Sequence, residues 1–401
     1  MNLKVKIEDL VLFIWGNLVI CKVLSNIVGN YFVSPTVVYY LGSATLIALL
    51  LVYLTELKTK VSKNYYYWMI AFVIFVFLFG VLLKNEYYND AINANVRIML
   101  TFYIVSFLMG SFIEKKNSLF KVIKVSYIAI SIILVFICLI NLTNFQSPME
   151  LIRNFFMGYD RTRNSFGFIH PNYAGNTALA AIMMSSFFNR KNTKKQYLYT
   201  VYLLDILFVY VVLESASRTS MIALLIYFLI KGYLLAVSRI NGIVQKVCIS
   251  FLLACVCVVL VRFSADISVF DIFLLTNRSG NFFYNIPILK AHNAMLTGLA
   301  YVGSGEFISS SLGTFYVDNY FLYILMSSGM IGVAFHLVFI VVLCRKIFKM
   351  ATINPLYLNV AEILVVNLIV SMTETCFMYP AFPSSYVFSV IYLGVFAKRI
   401  S

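Results

Sequence analysis

Long apolar runs separated by short polar segments repeat along the whole chain. A run of about 20 mostly apolar residues forms a helix long enough to cross the hydrocarbon core of a bilayer. The runs lack the strict apolar–polar alternation of outer-membrane barrel strands. The pattern predicts about twelve transmembrane helices, near residues 10–28, 35–54, 67–83, 95–113, 122–142, 173–189, 197–213, 219–236, 246–262, 319–343, 358–377 and 384–397.

The composition agrees with this pattern. The 401-residue chain is 62% hydrophobic and 12% charged, and its mean hydropathy is +0.90. A soluble domain carries about 25% charged residues, so this chain cannot cover itself with a water-facing surface. We therefore expect an all-α polytopic membrane protein in which residues 1–401 form a single transmembrane domain.

Basic residues are distributed unequally between the two sides that alternating spans define. One side carries 21 lysines and arginines and the other carries nine, with Lys22 inside the first span. Because positively charged loops stay in the cytoplasm, both termini are predicted to be cytoplasmic. The net charge of +15 is scattered over short loops. This distribution reports orientation, and nucleic acid is not an expected partner.

The predicted outer side differs from the other side in the type of its basic residues. Seven of its nine basic residues are arginine, whose planar fork of donors grips phosphate or carboxylate. Two outer loops, about residues 144–172 and 262–318, are long. Loops of this length in a compact protein are usually functional or disordered, and neither has a disordered composition. We expect them to form a cap over a site that holds an anion.

The most concentrated polar cluster lies at the end of the first loop. Arg161, Arg163, His170 and Asn172 precede the sixth span, and Pro171 suits the first turn of a helix. His170 and Asn172 are therefore predicted at a helix N-terminus, where free backbone N–H groups attract anions. The alternative is a loop that only caps the helix.

A second polar group precedes the eighth span. Arg218 follows Glu214 after three small residues. Arg218 is a candidate ligand for an anion. Alternatively, Arg218 pairs with Glu214, and Ser217 or Thr219 caps the helix.

The second long loop contains Arg278, His292 and Asn293, and it ends at Asp318 and Asn319 before the tenth span. Imidazole is the side chain best suited to take up a proton near neutral pH. Two of the three histidines of the chain lie in the outer loops, which makes them candidate bases.

Ionisable side chains also occur inside predicted spans. Asp205 lies in span seven, and Glu362 and Glu374 lie in span eleven. An intramembrane carboxylate is a functional hypothesis by default, and proton-coupled transport would use one. A protonated, helix-bonded Asp205 is the structural alternative. His336 in span ten is interpreted as structural.

Several catalytic signatures are missing from the sequence. It contains no HExxH or Walker-type segment and no G-x-S-x-G nucleophile turn. The outer loops have no clustered carboxylate pair of the kind that holds a divalent cation. We therefore expect no metal and no cofactor.

Taken in order, the motifs resemble those of the Wzy-type polysaccharide polymerases of the O-antigen ligase and polymerase superfamily. The resemblance covers about residues 160 to 345. It is carried by Arg163-x-x-x-Gly167-Phe168-x-His170-Pro171-Asn172, Ser217-Arg218-Thr219, Arg278-Ser279, Gly303-x-Gly305, Asp318-Asn319-Tyr320-Phe321-Leu322 and Gly329-Met330-Ile331-Gly332.

This resemblance implies a GT-C-like arrangement of helices, with an outer loop covering a cavity for polyprenyl-pyrophosphate-linked sugars. It places Arg218 and Arg278 where family members hold the pyrophosphate leaving group. Related ligases have His-Asn where this chain has Asp-Asn at 318–319. The base that activates the acceptor hydroxyl is accordingly Asp318, His292 or His170. The substrate-binding residues are then expected to be Arg161, Arg163, Asn172, Asn293 and Asn319.

The implied activity is polymerisation of lipid-linked repeat units into capsular polysaccharide, exopolysaccharide or O-antigen. It would take place on the outer face of a bacterial cytoplasmic membrane. Expected partners are the polyprenyl-pyrophosphate-linked glycan, membrane lipid, a flippase and a chain-length regulator. A glycan ligase is one alternative, and a lipid-linked oligosaccharide flippase or other transporter is another. A transporter should carry polar groups along the bundle interior, drawn from many spans.

Overall fold

The structure is a computed structural model that describes residues 6–27, 35–55, 62–83, 89–142, 145–147, 149–151, 162–188, 195–238, 278–304, 307 and 317–398. Within these ranges the secondary structure is helical and no β-strand forms. The helices are α1 Ile7–Leu24, α2 Pro35–Thr55, α3 Lys63–Phe77, α4 Asn89–Lys116, α5 Leu119–Ile140, α6 Pro171–Ser185, α7 Lys195–Glu214, α8 Arg218–Ser238, α9 Arg278–Ala291, α10 Tyr320–Ile353, α11 Pro355–Ser371 and α12 Pro383–Ala397. A π-helical turn, Leu78–Leu82, extends α3.

The predicted all-α membrane class is confirmed. Within the described ranges, five helical stretches are long and apolar enough to cross a membrane: Lys63–Leu82, Ile92–Lys116, Leu119–Ile140, Lys195–Glu214 and Tyr320–Ile353. The other predicted spans also coincide with helices, apart from 246–262, which lies outside the described ranges. The count of twelve spans and the GT-C-like arrangement stay predictions.

The helices pack around a core of aromatic side chains. The most extensive helix pair is α4 with α12. A Cβ added at Gly110 of α4 would lie only 2.8 Å from the backbone carbon of Leu393. Small residues let helices in a membrane approach this closely. Beside this contact, the Tyr65 hydroxyl of α3 donates to the carbonyl of Phe107 on α4 at 2.5 Å.

Helix α10 is broken at Gly329, whose φ is 64° and ψ is −161°. The rings of Tyr320 and His336 lie 5.9 Å apart. Sixteen residues of straight helix would separate them by about 24 Å. The two parts of α10, 320–328 and 330–353, therefore fold back toward each other at the glycine.

A non-helical segment, 294–299, fills the break in α10. Its backbone hydrogen bonds to the break run from Leu299 N to Met326 O at 2.7 Å, from Met330 N to Met295 O at 2.9 Å and from Ile331 N to Leu296 O at 3.3 Å. A Cβ at Gly329 would lie 2.3 Å from the Leu296 carbonyl oxygen, so only glycine fits. Irregular backbone at membrane depth is tolerated where protein buries it in this way.

Segments that the charge pattern assigns to one side lie at the same end of the bundle. At the end predicted to face outside, backbone or side-chain contacts join Asn26 to Ile169, Asn164 to Glu214, Asn172 to Glu374 and Ser304 to Tyr379. At the opposite end, Lys121 pairs with Glu8 at 2.7 Å, and Lys346 binds the carbonyl of Lys398. The placement of the second end in the cytoplasm stays a prediction.

Candidate functional site

The segment that leads into α6 is fixed by neighbours from two other helices. Asn164 N–H donates to the carbonyl of Glu214 at 3.0 Å, at the end of α7. Ile169 N–H donates to the carbonyl of Asn26 at 2.8 Å, just beyond α1. Between these anchors the chain turns through Phe166, whose φ is 51°. The Asn164 side chain accepts from Phe166 N–H at 2.9 Å and stabilises this turn.

His170 and Asn172 lie at the N-terminus of α6. His170 is the N-cap residue, and its Nδ1 accepts from Asn172 N–H at 3.2 Å. Pro171 occupies the first helical position, where its missing N–H costs nothing. The capping arrangement that the sequence allowed is therefore present, and anion binding at this terminus stays a prediction.

Arg163, Asn172 and Glu374 form a hydrogen-bonded chain. Arg163 Nη2 donates to Asn172 Oδ1 at 2.6 Å, and Asn172 Nδ2 donates to Glu374 Oε1 at 2.6 Å. These contacts fix the orientation of the amide, because its oxygen must face the guanidinium and its nitrogen the carboxylate. Glu374 is buried, with 7% of its surface exposed. We call this arrangement the Arg163–Asn172–Glu374 chain.

The position of Glu374 corrects the sequence prediction. It was assigned to span eleven, but α11 ends at Ser371. Glu374 lies in the turn that follows, where its N–H still donates to Val370 O at 2.9 Å. The carboxylate therefore lies at the mouth of the bundle and beside the first loop.

Asn319 holds the start of α10 against the same turn. Its side-chain oxygen accepts from Phe321 N–H at 2.8 Å and from Leu322 N–H at 3.1 Å, and its nitrogen donates to Met372 O. Asn319 is thus the cap of α10. Asp318 is half-buried and precedes the cap.

The turn after α11 is therefore the meeting point of both long loops. Asn172 comes from the end of the first loop and binds Glu374, and Asn319 comes from the end of the second loop and binds Met372. The sequence singled out both asparagines and did not predict that they share one turn. No local signal marks this turn, because the helices that deliver the asparagines are far apart in the chain.

Arg218 is the first residue of α8, beside the first turn of α6. Ser217 caps α8 through a long contact from Ser220 N–H to Ser217 Oγ at 3.5 Å. The Ser220 hydroxyl in turn donates to Asn176 Oδ1 on α6 at 3.1 Å. Of the two predicted caps, Ser217 is therefore the one that the structure shows.

Glu214, at the end of α7, is completely buried. Its Oε1 accepts from Gln146 N–H at 2.5 Å, and the Tyr210 hydroxyl donates to the carbonyl of Gln146. Glu214 thus ties the start of the first long loop to α7. Neither Gln146 nor Tyr210 was predicted from the sequence as a neighbour of this carboxylate.

The remaining predicted site residues are less connected. Arg161 lies outside the described ranges, as does the side chain of Arg278, the first residue of α9. His292 and Asn293 are exposed and follow the end of α9, where Asn293 adopts a φ of 53°. Among the described contacts, none joins them to the Arg163–Asn172–Glu374 chain. Helix α9 itself lies inside the segment predicted as a loop.

Polar side chains also lie inside the bundle, toward the other end. Ser185 donates to Asp205 Oδ2 at 2.7 Å, which agrees with the structural alternative of a helix-bonded Asp205. Lys231 pairs with Glu362 at 2.5 Å and donates to Asn359 at 2.8 Å. Helices α6, α7, α8 and α11 all contribute to these interior contacts.

Cys376 lies in the turn after α11, near Ser371 and Asn367. Its sulfur lies 3.2 Å from the Ser371 hydroxyl and 3.5 Å from Asn367 Oδ1. Burial raises the pKa of the Cys376 thiol to about 12. The group therefore stays a thiol at neutral pH, and we interpret it as a packing residue.

In the part of the chain that the structure describes, no group of three or more His, Cys, Asp or Glu side chains could hold a metal ion. No known protein family matches the chain, and no curated protein matches it. The fold and the site together define a helical membrane protein with a buried, hydrogen-bonded polar chain at one end of its bundle.

Proposed function

We propose that the protein is a membrane glycosyltransferase that polymerises polyprenyl-pyrophosphate-linked oligosaccharide repeat units. The observation that carries this proposal is the Arg163–Asn172–Glu374 chain, at the end of the bundle where both long loops terminate. In this chain, one amide links a guanidinium to a buried carboxylate. Such an arrangement suits a reaction in which an anion is released and a hydroxyl must be positioned.

In the proposed reaction, the bond between the anomeric carbon of the growing glycan and its pyrophosphate oxygen breaks. A hydroxyl of the incoming unit forms the new bond to that carbon and transfers its proton to a base. Polyprenyl pyrophosphate leaves as an anion, and the guanidinium groups of Arg218 and Arg278 stabilise the charge that develops on it. Asp318 is our preferred base, with His292 and His170 as the alternatives.

The proposed setting is the outer face of a bacterial cytoplasmic membrane, with both termini inside. Nucleotide sugars are absent there, so the pyrophosphate linkage supplies the driving force. A flippase would deliver the lipid-linked units, and a chain-length regulator would limit the product. The product would be capsular polysaccharide, exopolysaccharide or O-antigen, and transfer to another acceptor would make the protein a ligase.

One observation favours a second candidate, a transporter of lipid-linked oligosaccharide. Helix α10 is broken at Gly329, and polar side chains of α6, α7, α8 and α11 meet inside the bundle. Discontinuous helices and interior polar groups from several spans are typical of transporters. The two candidates differ in whether the glycan grows or only crosses the membrane.

Reconstitution separates them. Purified protein in liposomes that contain the lipid-linked repeat unit should produce long glycan chains, with or without excess EDTA. Arg163→Lys should reduce chain growth, because lysine keeps the charge and loses the planar fork. Arg345 is exposed and lies toward the other end of α10. The variant Arg345→Lys is therefore the matched control and should be fully active. Translocation of units that keep their length would overturn the proposal in favour of the transporter.

A further inference from the structure

Four polar atoms lie deep in the bundle with hydrogen-bonding capacity that the described residues do not fully use. They are the hydroxyl groups of Tyr103, Tyr301 and Tyr320 and the Nε2 atom of His336. None of these residues is more than 1% exposed. Burying one polar group unsatisfied is costly, and four in one place call for an explanation.

The four residues belong to one cluster. They are joined through the rings of Phe72 and Phe75 on α3 and through direct ring contact. The centroid separations are 4.7 Å for Phe72–Tyr103, 5.7 Å for Phe72–His336, 6.2 Å for Phe75–Tyr301, 5.0 Å for Phe75–His336 and 5.9 Å for Tyr320–His336. The Tyr103 and Tyr301 hydroxyls are neighbours. If these two bonded to each other, the pair would still have an unused donor.

Contacts from three parts of the chain position the cluster. Asn95 on α4 donates to the Tyr301 carbonyl at 3.2 Å and to the Tyr323 hydroxyl at 3.4 Å. The fold of α10 at Gly329 brings Tyr320 next to His336. The cluster therefore exists only because the helix is broken and the segment after α9 lies against it.

The hydrogen bond of His336 fixes which of its nitrogens can act. Nδ1 lies 2.8 Å from the carbonyl oxygen of Gly332. A carbonyl only accepts, so Nδ1 carries the proton and Nε2 presents a lone pair. This nitrogen needs a donor, whereas the phenol hydroxyls can both donate and accept.

The chemistry of the cluster selects a neutral ligand. The side chains that define it are phenols, a neutral imidazole and phenylalanine rings. A buried ion would need a counter-charge or several oriented donors. A hydroxyl group needs only a lone pair to donate to and O–H groups to accept from, and the cluster offers both.

We propose that Tyr103, Tyr301, Tyr320 and His336 form a binding site for a neutral hydroxyl-bearing ligand, either ordered water or the hydroxyl of a glycan. Buried water typically bonds to about three otherwise unsatisfied polar groups, which this cluster supplies. The inference goes beyond the proposed function and does not depend on it, because its first test measures stability and not activity.

The test uses the purified full-length protein and two conservative variants, Tyr103→Phe and Tyr320→Phe. With a hydroxyl bound, each loss of a phenol oxygen leaves that ligand short of a partner, and the Tm should fall by about 2 °C. In an empty, dry cluster Tyr320→Phe removes an unsatisfied polar atom and its Tm should rise, whereas Tyr103→Phe also breaks the hydrogen bond with Tyr301. Tyr67→Phe, at a position that is 64% exposed, is the control and should leave the Tm unchanged.

A second measurement identifies the ligand. Oligosaccharide released from the lipid-linked pool of the host by mild acid is added to wild type and to Tyr320→Phe. A Tm increase in wild type alone supports a glycan hydroxyl. No increase, together with ordered-water density in the cluster in a cryo-EM map, supports water. An unchanged or higher Tm in Tyr320→Phe would overturn the proposal.

Discussion

Asn172 donates a 2.6 Å hydrogen bond to Glu374 across 202 positions of sequence. The same amide accepts from Arg163 at 2.6 Å, so one uncharged side chain links a cation to a buried carboxylate. The amide is suited to this place because it both donates and accepts. Through it, the loop before α6 is coupled to the turn after α11.

Asn172→Ala should destabilise the protein by about 1–3 kcal/mol, because the buried Glu374 carboxylate then loses the hydrogen bond from Asn172. Asn172→Asp should cost more, since a second carboxylate would face Glu374. Thermal unfolding in detergent measures both. Asn93→Ala, at an exposed position of α4, is the control. Equal unfolding temperatures for Asn172→Ala and Asn93→Ala would contradict the role of the amide.

Gly329→Ala should prevent normal folding. Its Cβ would lie 2.3 Å from the Leu296 carbonyl oxygen at a φ of 64°, and strain together with overpacking costs about 2 kcal/mol or more. Size-exclusion chromatography of the solubilised protein should show aggregation or loss of the monodisperse peak. Gly232→Ala is the matched control, because a Cβ there meets nothing within 4 Å. Monodisperse Gly329→Ala would show that segment 294–299 moves aside easily.

Helix positions were predictable because each apolar run must bury its backbone polar groups within itself. The limits of that signal are visible at α11. Apolar residues recur beyond Ser371, at Met372, Cys376 and Phe377, so composition alone extends the span over the turn that contains Glu374. The end of the helix depends on contacts with Asn172 and Asn319, which no local pattern encodes.

The break in α10 illustrates the same limit. The Gly329-Met330-Ile331-Gly332 motif was noticed, but the backbone conformation at Gly329 depends on segment 294–299, which is remote in sequence. His336 was interpreted as structural from its place in an apolar run. Its Nε2 became a candidate ligand group only when the fold placed Tyr320 beside it.

The sidedness of the loops can be tested by cysteine labelling in intact cells. Ser147 and Lys290 are exposed and lie in the two predicted outer loops. The variants Ser147→Cys and Lys290→Cys should therefore react with a membrane-impermeant reagent. Thr352→Cys, exposed at the opposite end of the bundle, should react only after permeabilisation. Wild type reports the background from native cysteines. The reverse labelling pattern would show that the orientation is inverted.

Arg218→Lys and Arg278→Lys should each abolish most polymerisation and leave protein levels intact. Lysine retains the positive charge but cannot grip two phosphate oxygens with one planar group. Gel analysis of the glycan should show single repeat units in place of long chains. The exposed Arg345→Lys variant serves again as the control. Full-length polymer from both variants would mean that these arginines have only structural roles.

The last prediction separates two adjacent residues. Asn319 caps α10 with two hydrogen bonds and binds Met372, so Asn319→Ala should lower stability by about 1 kcal/mol. Asp318 precedes that cap, and Asp318→Asn keeps the size of the side chain and an acceptor oxygen, so the Tm should fall less than in Asn319→Ala.

Chain growth should nevertheless be lost in Asp318→Asn, because an amide cannot take the proton of the acceptor hydroxyl. Stability and glycan length are therefore measured on the same preparations of both variants. His292→Ala and His170→Ala, the two alternative bases, are assayed beside them and should retain more activity. If Asp318→Asn makes full-length polymer while one histidine variant does not, that histidine replaces Asp318 as the base. In that case the main role of the adjacent residues Asp318 and Asn319 is structural, through the helix cap that Asn319 forms.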